Sequence, residues 1–490
     1  PVSETPCEPK GAPLFWTEER WSEERATERR GKNRGPERPE ASRTILRGLT
    51  WDHPRGYVVL DTLAAGEVGT GGVGADGVVA VGPASDGVGA PNPIRSGAGV
   101  PNPSAAAVRW DRQPLEGFES RPLRTLADEY DLVVIDHPGL GEAVGDGALL
   151  PLELLLSDAE LAACAEVSAG RSFASYRLNG QQWALPIDAA AQVSVGLAGG
   201  GHGNHRTDDG AGHVGLTDEQ PVTWDDACRV ARRQHTAVCL GGPHALLMFS
   251  AICVALGAQP DDSPVSDSHE PEAHEPEVRH QGAFVDPGIG SAAVEIMAEL
   301  LAHADQALAV RNPIAVLDAM TTDDGPDYCP LVYGYVTYQR PRPGRRALAA
   351  FDAPAGPGGE IGSVLGGTGL AVTRSCASLA AARSLLLRLV SREVQVDLYA
   401  ELGGQSADRR AWQDATADAS AGGFYSATSK TVEAAWVRPR FAGYVEFQAA
   451  ASAVLRDGLL RGERPRILVD RVNGLFVREG PRARGGDSAG

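Results

Sequence analysis

FASYRLNGQQWALPIDAAAQVSV, residues 173–195, decides the fold. Asn179-Gly180 stands between two runs in which apolar and polar residues alternate, the pattern of a two-residue hairpin turn. The returning arm, WALPIDAAAQVSV, outlasts the usual strand of about five or six residues. Such a strand is long enough to leave one sheet and enter another.

On the N-terminal side, TILRGLTW (Thr44 to Trp51) reads as a strand and YVVLDTLAA (Tyr57 to Ala65) as the start of a helix. VRWDR (Val108 to Arg112) gives a second strand, LEGFESRPLRTLADEY (Leu115 to Tyr130) a helix broken near Pro122, and DLVVID (Asp131 to Asp136) a third strand. The unbroken apolar run Leu132 to Ile135 suits a strand covered on both faces. Helical stretches follow at Leu156 to Val167, Trp224 to Arg233, Pro243 to Leu256, Ile289 to His303 and Pro313 to Met320. β runs lie at Tyr328 to Tyr338 and Val364 to Val372, and helix formers then dominate to about Leu460. This alternation predicts an α/β fold, a mostly parallel sheet with covering helices.

Three Gly-, Pro- and His-bearing stretches without periodicity, 66–103, 198–219 and 259–281, read as loop insertions. Residues 1–43 mix both charges with Gly and Pro, read as a disordered tail, and show no apolar segment of a secretory signal; 471–490 reads as a second tail. No apolar run approaches the ~20 residues that a bilayer span requires.

The 490 residues carry 64 acidic and 45 basic side chains, a formal charge of −19, with 42% hydrophobic content. That length and apolar content can bury two moderate cores, and the charge repels a phosphate backbone, so no nucleic-acid partner is expected. Cys7, Cys164, Cys228, Cys239, Cys253, Cys329 and Cys376 form no CxxC pair, so neither a zinc ribbon nor a dense disulfide framework is written here.

Several motifs match in letters only. Gly69 to Gly74 spells a dinucleotide fingerprint but lacks the preceding strand and following helix. Gly366-Gly367-Thr368-Gly369 has no lysine to reach a phosphate. His269, Glu270 and His274 miss the HExxH spacing, and Pro271 breaks the helix it needs. His202, His205 and His213 sit in a loop insertion. No metal site, no cofactor and no catalytic residue is expected, although Asp136-His137 comes nearest to a catalytic pair.

Polar and aromatic residues recur where the strands end: Trp51, Asp52 and His53 after the first, Asp136 and His137 after the third, and Asp188 within the crossing strand. Ligands of open α/β sheets sit beyond the carboxyl ends of the strands, so these positions converge on one crevice. Tyr333 and Tyr335, the Gly366-Gly367-Thr368 turn, and Trp436 with Arg438 complete an expected polar cleft with aromatic walls. Carboxylates and arginines there would take ligand hydroxyls or carboxylates, and aromatic faces would pack on an apolar sugar or acyl face.

The segments TILRGLTWDHPRGY, LADEYDLVVIDHPGLGEA, RLNGQQWALPIDAAAQVS, YCPLVYGYVTYQRP, LGGTGLAVT and AAWVRPRFAGYVEFQAAAS, in this order over most of residues 44–460, resemble extracellular solute-binding proteins of ABC transporters, the family that includes maltose- and other sugar-binding proteins. The resemblance implies a two-lobed periplasmic-binding-protein-like fold of type II, with two α/β lobes joined by crossing strands and closed by a hinge. It implies a first lobe of 44–187 plus 322–374 and a second of 188–321 plus 375–470. It also implies a non-enzymatic monomer that takes a small polar ligand, a carbohydrate by family habit, to an ABC permease from the periplasm or cell surface. The residues alone keep an intracellular sensor, located in the cytoplasm, and an enzyme on the same scaffold as alternatives.

Overall fold

A computed structural model describes residues 45–68, 107–198, 221–258, 260, 282–340 and 342–479. The tail 1–43 and most of the three expected insertions lie outside the described residues. The first unit follows the alternation of the sequence. Strand β1 (Ile45–Trp51) leads into helix α1 (Pro54–Val68), whose proline occupies a first-turn position where its missing N–H costs nothing. Strands β2 (Ala107–Gln113) and β3 (Leu132–Ile135) lie parallel to β1 on either side of it. The helical run after β2 is interrupted around Pro122, between Leu115–Ser120 and Leu123–Ala127.

The Asn179-Gly180 turn joins β4 (Arg177–Leu178) to β5 (Gln181–Gln182), with φ of 54° and 78° at its two residues. The crossing strand β6 (Ala184–Leu197) is buried along all but its last residue. Small side chains at Ala189, Ala190 and Ala191 let it be covered from both sides. Its later half pairs antiparallel with β7 (Tyr328–Tyr333) and β8 (Leu348–Phe351), while its earlier half pairs antiparallel with β9 (Leu365–Val372). Strand β9 also runs antiparallel to β3. One seven-stranded sheet thus passes through both lobes in the order β2-β1-β3-β9-β6-β7, with β8 on β6.

The expectation of a mostly parallel sheet therefore holds only for β1, β2 and β3. The crossing strand and β9 carry the chain between lobes and meet the sheet from the opposite end, so their pairing is antiparallel. Residues 336–338, expected to extend β7, form a short 3-10 turn instead.

Packing distributes the rest of the chain. Leu46, Leu132, Ala382, Leu385, Leu386, Phe424 and Tyr425 share one cluster. A second cluster gathers helix α2 (His244–Ala255), helix α3 (Pro287–Ala302), Tyr328, Leu331, Trp436, and helices α4 (Tyr444–Leu460) and α5 (Pro465–Glu479). Of α2 only Val254 is not fully buried, so this helix, apolar all round, is the axis of the second core. Of the segment 322–374, assigned by expectation to the first lobe, β7 and β8 pair with the far half of β6, and β9 alone pairs with a first-lobe strand, β3. Residues 379–434, expected in the second lobe, pack largely in the first cluster.

Residues 471–479, expected as a tail, belong to α5 and bury Val472 and Phe476. The period of Leu468, Val469, Val472 and Phe476 is the apolar stripe that packs this helix on α3 and α4.

Candidate functional site

The carboxyl ends of β2 and β3 open on a cleft with about 930 Å³ of atom-free space, its mouth included. Gln113, Phe118, Ile135, Asp136 and Glu142 come from the first lobe, and Leu247, Tyr333, Arg438, Glu446 and Gln448 from the facing side. Both lobes therefore line one space, at the strand ends where the sequence places a ligand crevice.

Three of the expected residues, Asp136, Tyr333 and Arg438, line this cleft. Asp136 follows β3 directly and accepts a hydrogen bond from the His137 backbone N–H at 2.8 Å. Arg438, with a side chain only 4% exposed, donates to its Oδ2 at 2.6 Å across the lobes. Burial pushes the Asp136 carboxyl up, but the Arg438 guanidinium and the His137 contact outweigh it and hold it well below the usual carboxylate range. Arg438 also donates to Gln448 Oε1 at 3.4 Å. Tyr333 donates its hydroxyl to the Leu365 carbonyl and meets the His244 ring edge-on at 5.8 Å. Gly366 lies beneath the Tyr333 ring, where a Cβ would come within 2.6 Å of it.

His137 is buried behind Asp136, its ring edge-on to Tyr176 at 6.2 Å. Burial pushes its imidazole down to about 4, with Arg438 adding to the effect and Asp136 opposing it. It does not line the cleft.

A second group gathers at the pivot between the lobes. The Trp51 indole stacks on the His53 ring at 5.1 Å, and Tyr335 meets both rings edge-on. Arg55, in the first turn of α1, reaches under this stack to Asp188 on the crossing strand: Nε donates to Oδ2 at 2.9 Å, and Nη2 pairs with Oδ1. Burial pushes the His53 imidazole down to about 3, helped by Arg55 and Arg342. Thr368 pairs with Asp188 in the β6–β9 ladder, and Gly367 takes φ of 102° with no room for a Cβ, which would lie 2.3 Å from the Asp188 carbonyl.

Asp52 points to solvent and lies 3.7 Å from Arg112. Trp436 is 7% exposed within the second core; its backbone bonds to Ser363 and Leu365 fix the passage of the chain beside β9. Neither residue lines the cleft. Gln113, Phe118, Glu446 and Gln448 do line it, and sequence reasoning missed them. Gln113 had a readable signal, since it directly follows VRWDR, which the sequence reads as a strand. Glu446 and Gln448 lie in the first turns of α4, and nothing local marks which helix faces the opposite lobe.

The arrangement offers donors and acceptors from both lobes around a small space. Gln113, 7% exposed, carries a buried Oε1 with no protein partner on the cleft wall, an acceptor that a ligand donor would satisfy. No group of three or more potential metal ligands occurs among the described residues.

No protein-family model and no curated protein matches the chain. Solved structures do. A ribitol complex of an ABC transporter solute-binding protein from Agrobacterium radiobacter is similar at a TM-score of 0.61 and 14% identity, covering 88% of this chain and 97% of that one. A D-mannitol complex of a solute-binding protein from Agrobacterium vitis has a TM-score of 0.61 and 13% identity, covering 90% and 99%. The maltose-bound MalE3 of T. maritima has a TM-score of 0.57 and 16% identity, covering 75% and 90%. The chain has the two-lobed fold of periplasmic binding proteins.

Proposed function

We propose that this chain is a solute-binding protein that holds a small polar ligand, a polyol or sugar, between its lobes without transforming it. The observation that carries the reading is the cleft itself: Asp136 and Gln113 from one lobe face Tyr333, Arg438 and Gln448 from the other across a space at the strand ends. Among the described residues the aromatic side chains on its walls are Phe118 and Tyr333, which suits a ligand of about one sugar or polyol unit better than a long oligosaccharide that needs successive stacking faces. Ribitol and D-mannitol in similar structures fit this size class.

Binding rather than catalysis is the reading supported by how Asp188, Asp136 and His137 are held. Asp188 is committed to Arg55, Asp136 to Arg438, and His137 is buried and neutral. A general acid or base must reach a substrate proton, and these groups are turned to one another. In this reading β6 and the passages beside β9 are the hinge, with lobe 1 built on β1, β2, β3 and β9, and lobe 2 on α2 to α5 with β7 and β8. Closure would present the ligand to an ABC permease at the periplasmic or outer face of the membrane, with the chain acting as a monomer.

A thermal-shift titration of the full chain against ribitol, D-mannitol, monosaccharides, maltose, amino acids and small carboxylates tests this, because a ligand bound only by the folded state raises the melting temperature. A saturable shift with a polyol or sugar is expected, and its loss in Gln113→Leu would place the ligand at the cleft wall. A shift confined to amino acids or carboxylates overturns the ligand class; conversion of any of these compounds into product overturns the binding reading.

A further inference from the structure

Arg440 engages the opposite lobe at a place apart from the ligand cleft. Its Nη1 donates to the backbone carbonyls of Ala174 at 2.7 Å, Ser175 at 3.2 Å and Arg177 at 2.8 Å. The first two carbonyls end the one-turn helix Ser172–Ser175 and the third opens strand β4, so one guanidinium spans the passage from helix to hairpin. A guanidinium is suited to gathering several such oxygens at once. Ala174 and Arg177 flank Phe173, Tyr176 and Leu178, all buried in first-lobe cores, whereas Arg440 immediately precedes Phe441 and α4 in the second.

The same segment touches the first lobe a second time, backbone to backbone. A Cβ added at Gly141 would lie 1.8 Å from the Arg440 carbonyl oxygen and 2.8 Å from the Ala442 amide nitrogen. Only glycine admits this approach. Arg438, two residues earlier, pairs with Asp136 at 2.6 Å, so the run Arg438-Pro439-Arg440 grips the first lobe at three points. Arg438 lines the cleft, and neither Arg440 nor Gly141 does.

We propose that Arg440 and Gly141 form a lobe-to-lobe latch that holds the two lobes together by protein contacts alone, and that this joined arrangement is the binding-competent one. Resting on the solute-binding reading, Arg440 is then a positioning residue: it sets apparent affinity without touching the ligand. Apparent affinity scales with the fraction of protein already in the binding-competent state. The latch raises that fraction before any ligand arrives.

The test uses the ligand-free full chain, so it does not depend on knowing the ligand. Small-angle X-ray scattering and amide hydrogen exchange compare the parent protein with Arg440→Ala, which removes the attraction, and Gly141→Ala, which inserts a wedge. Arg440 is part-exposed and outside both cores, so its loss leaves the fold intact, checked by circular dichroism. The expected result is an upward shift in radius of gyration and a loss of exchange protection at residues 137–145 and 174–177 in both variants, with Arg440→Lys lying between. An unchanged radius and unchanged protection in two folded variants overturn the latch. If the parent protein binds none of the screened solutes while the variants still expand, the latch stands and the solute-binding reading falls.

Discussion

Arg55 and Asp188, 133 residues apart, form a buried two-pronged ion pair at the point where the crossing strand leaves the first lobe. The same guanidinium donates to the Gly334 carbonyl at 3.2 Å and lies 4.9 Å from the centre of the Tyr335 ring. Burial disfavours the arginine charge, and the Asp188 carboxylate outweighs it, so Arg55 is held above its ordinary value. The helix of one lobe, the crossing strand, and the turn that follows β7 are thereby fastened at one pivot. Charges withdrawn from water are tolerated only as a pair.

Removing one partner should therefore cost far more than removing both. Asp188→Ala is expected to lose about 3–5 kcal/mol in urea denaturation, because it strands a buried guanidinium. The double change Arg55→Met with Asp188→Leu should recover most of that loss. A single variant within about 1 kcal/mol of the parent would show that the pair is not holding the pivot.

Trp436 separates core from cleft. Its side chain is buried in the second cluster, which also holds Val364, Tyr444 and Phe447, so Trp436→Ala is expected to cost about 3–5 kcal/mol of stability through the cavity it leaves. Asp136→Ala should act differently, lowering affinity for whichever solute shifts the parent protein while also loosening Arg438. Loss of affinity in Trp436→Ala at unchanged urea midpoint would move the tryptophan back to the ligand.

Gly367 is required by geometry at both its backbone and its missing side chain. With φ of 102° and a would-be Cβ 2.3 Å from the Asp188 carbonyl, Gly367→Ala is expected to cost about 1–3 kcal/mol in strain. It should also shift the Asp188–Thr368 register, visible as lost exchange protection along β9. Gly180→Ala, at a turn with open space around it, strains φ alone and serves as the control.

What the sequence discloses follows physical range. Local signals were sufficient for β1, the interrupted helix at Pro122, the Asn179-Gly180 hairpin and Pro313–Met320, because each rests on residues within a few positions of one another. Short β8 (Leu348–Phe351) went unread: four residues beside a Gly- and Pro-rich stretch carry no period, and only pairing to β6 makes them a strand. Asp136 and Arg438 were both legible as polar positions near chain turns, yet their pairing spans 302 residues and exists only once the lobes meet. Arg55 was passed over although it sits beside Trp51 and His53, since nothing in WDHPRG tells which polar side chain turns inward.

Three histidines withdrawn from water give the protein a defined response to acid, and His53 at the pivot, pushed down to about 3 by burial, is one of them. Burial pushes His244 down to about 3, with Arg438 adding, and His137 down to about 4. In the unfolded chain all three titrate near about 6.5. Between that value and their folded ones the unfolded state binds more protons than the folded state, so stability must fall as pH falls through this window. Each histidine contributes a slope of up to about 1.4 kcal/mol per pH unit. Asp136 works in the same direction but lower: its folded value is depressed, so its contribution is present above about pH 4 and is lost only below that. Urea midpoints measured in steps from about pH 7.5 to about pH 4.5 should therefore decline through the histidines. In His244→Phe, which keeps a ring against Tyr333, the decline should flatten by roughly the share of one histidine. A stability that stays level across the window in the parent protein would mean that these imidazoles reach water in the folded state.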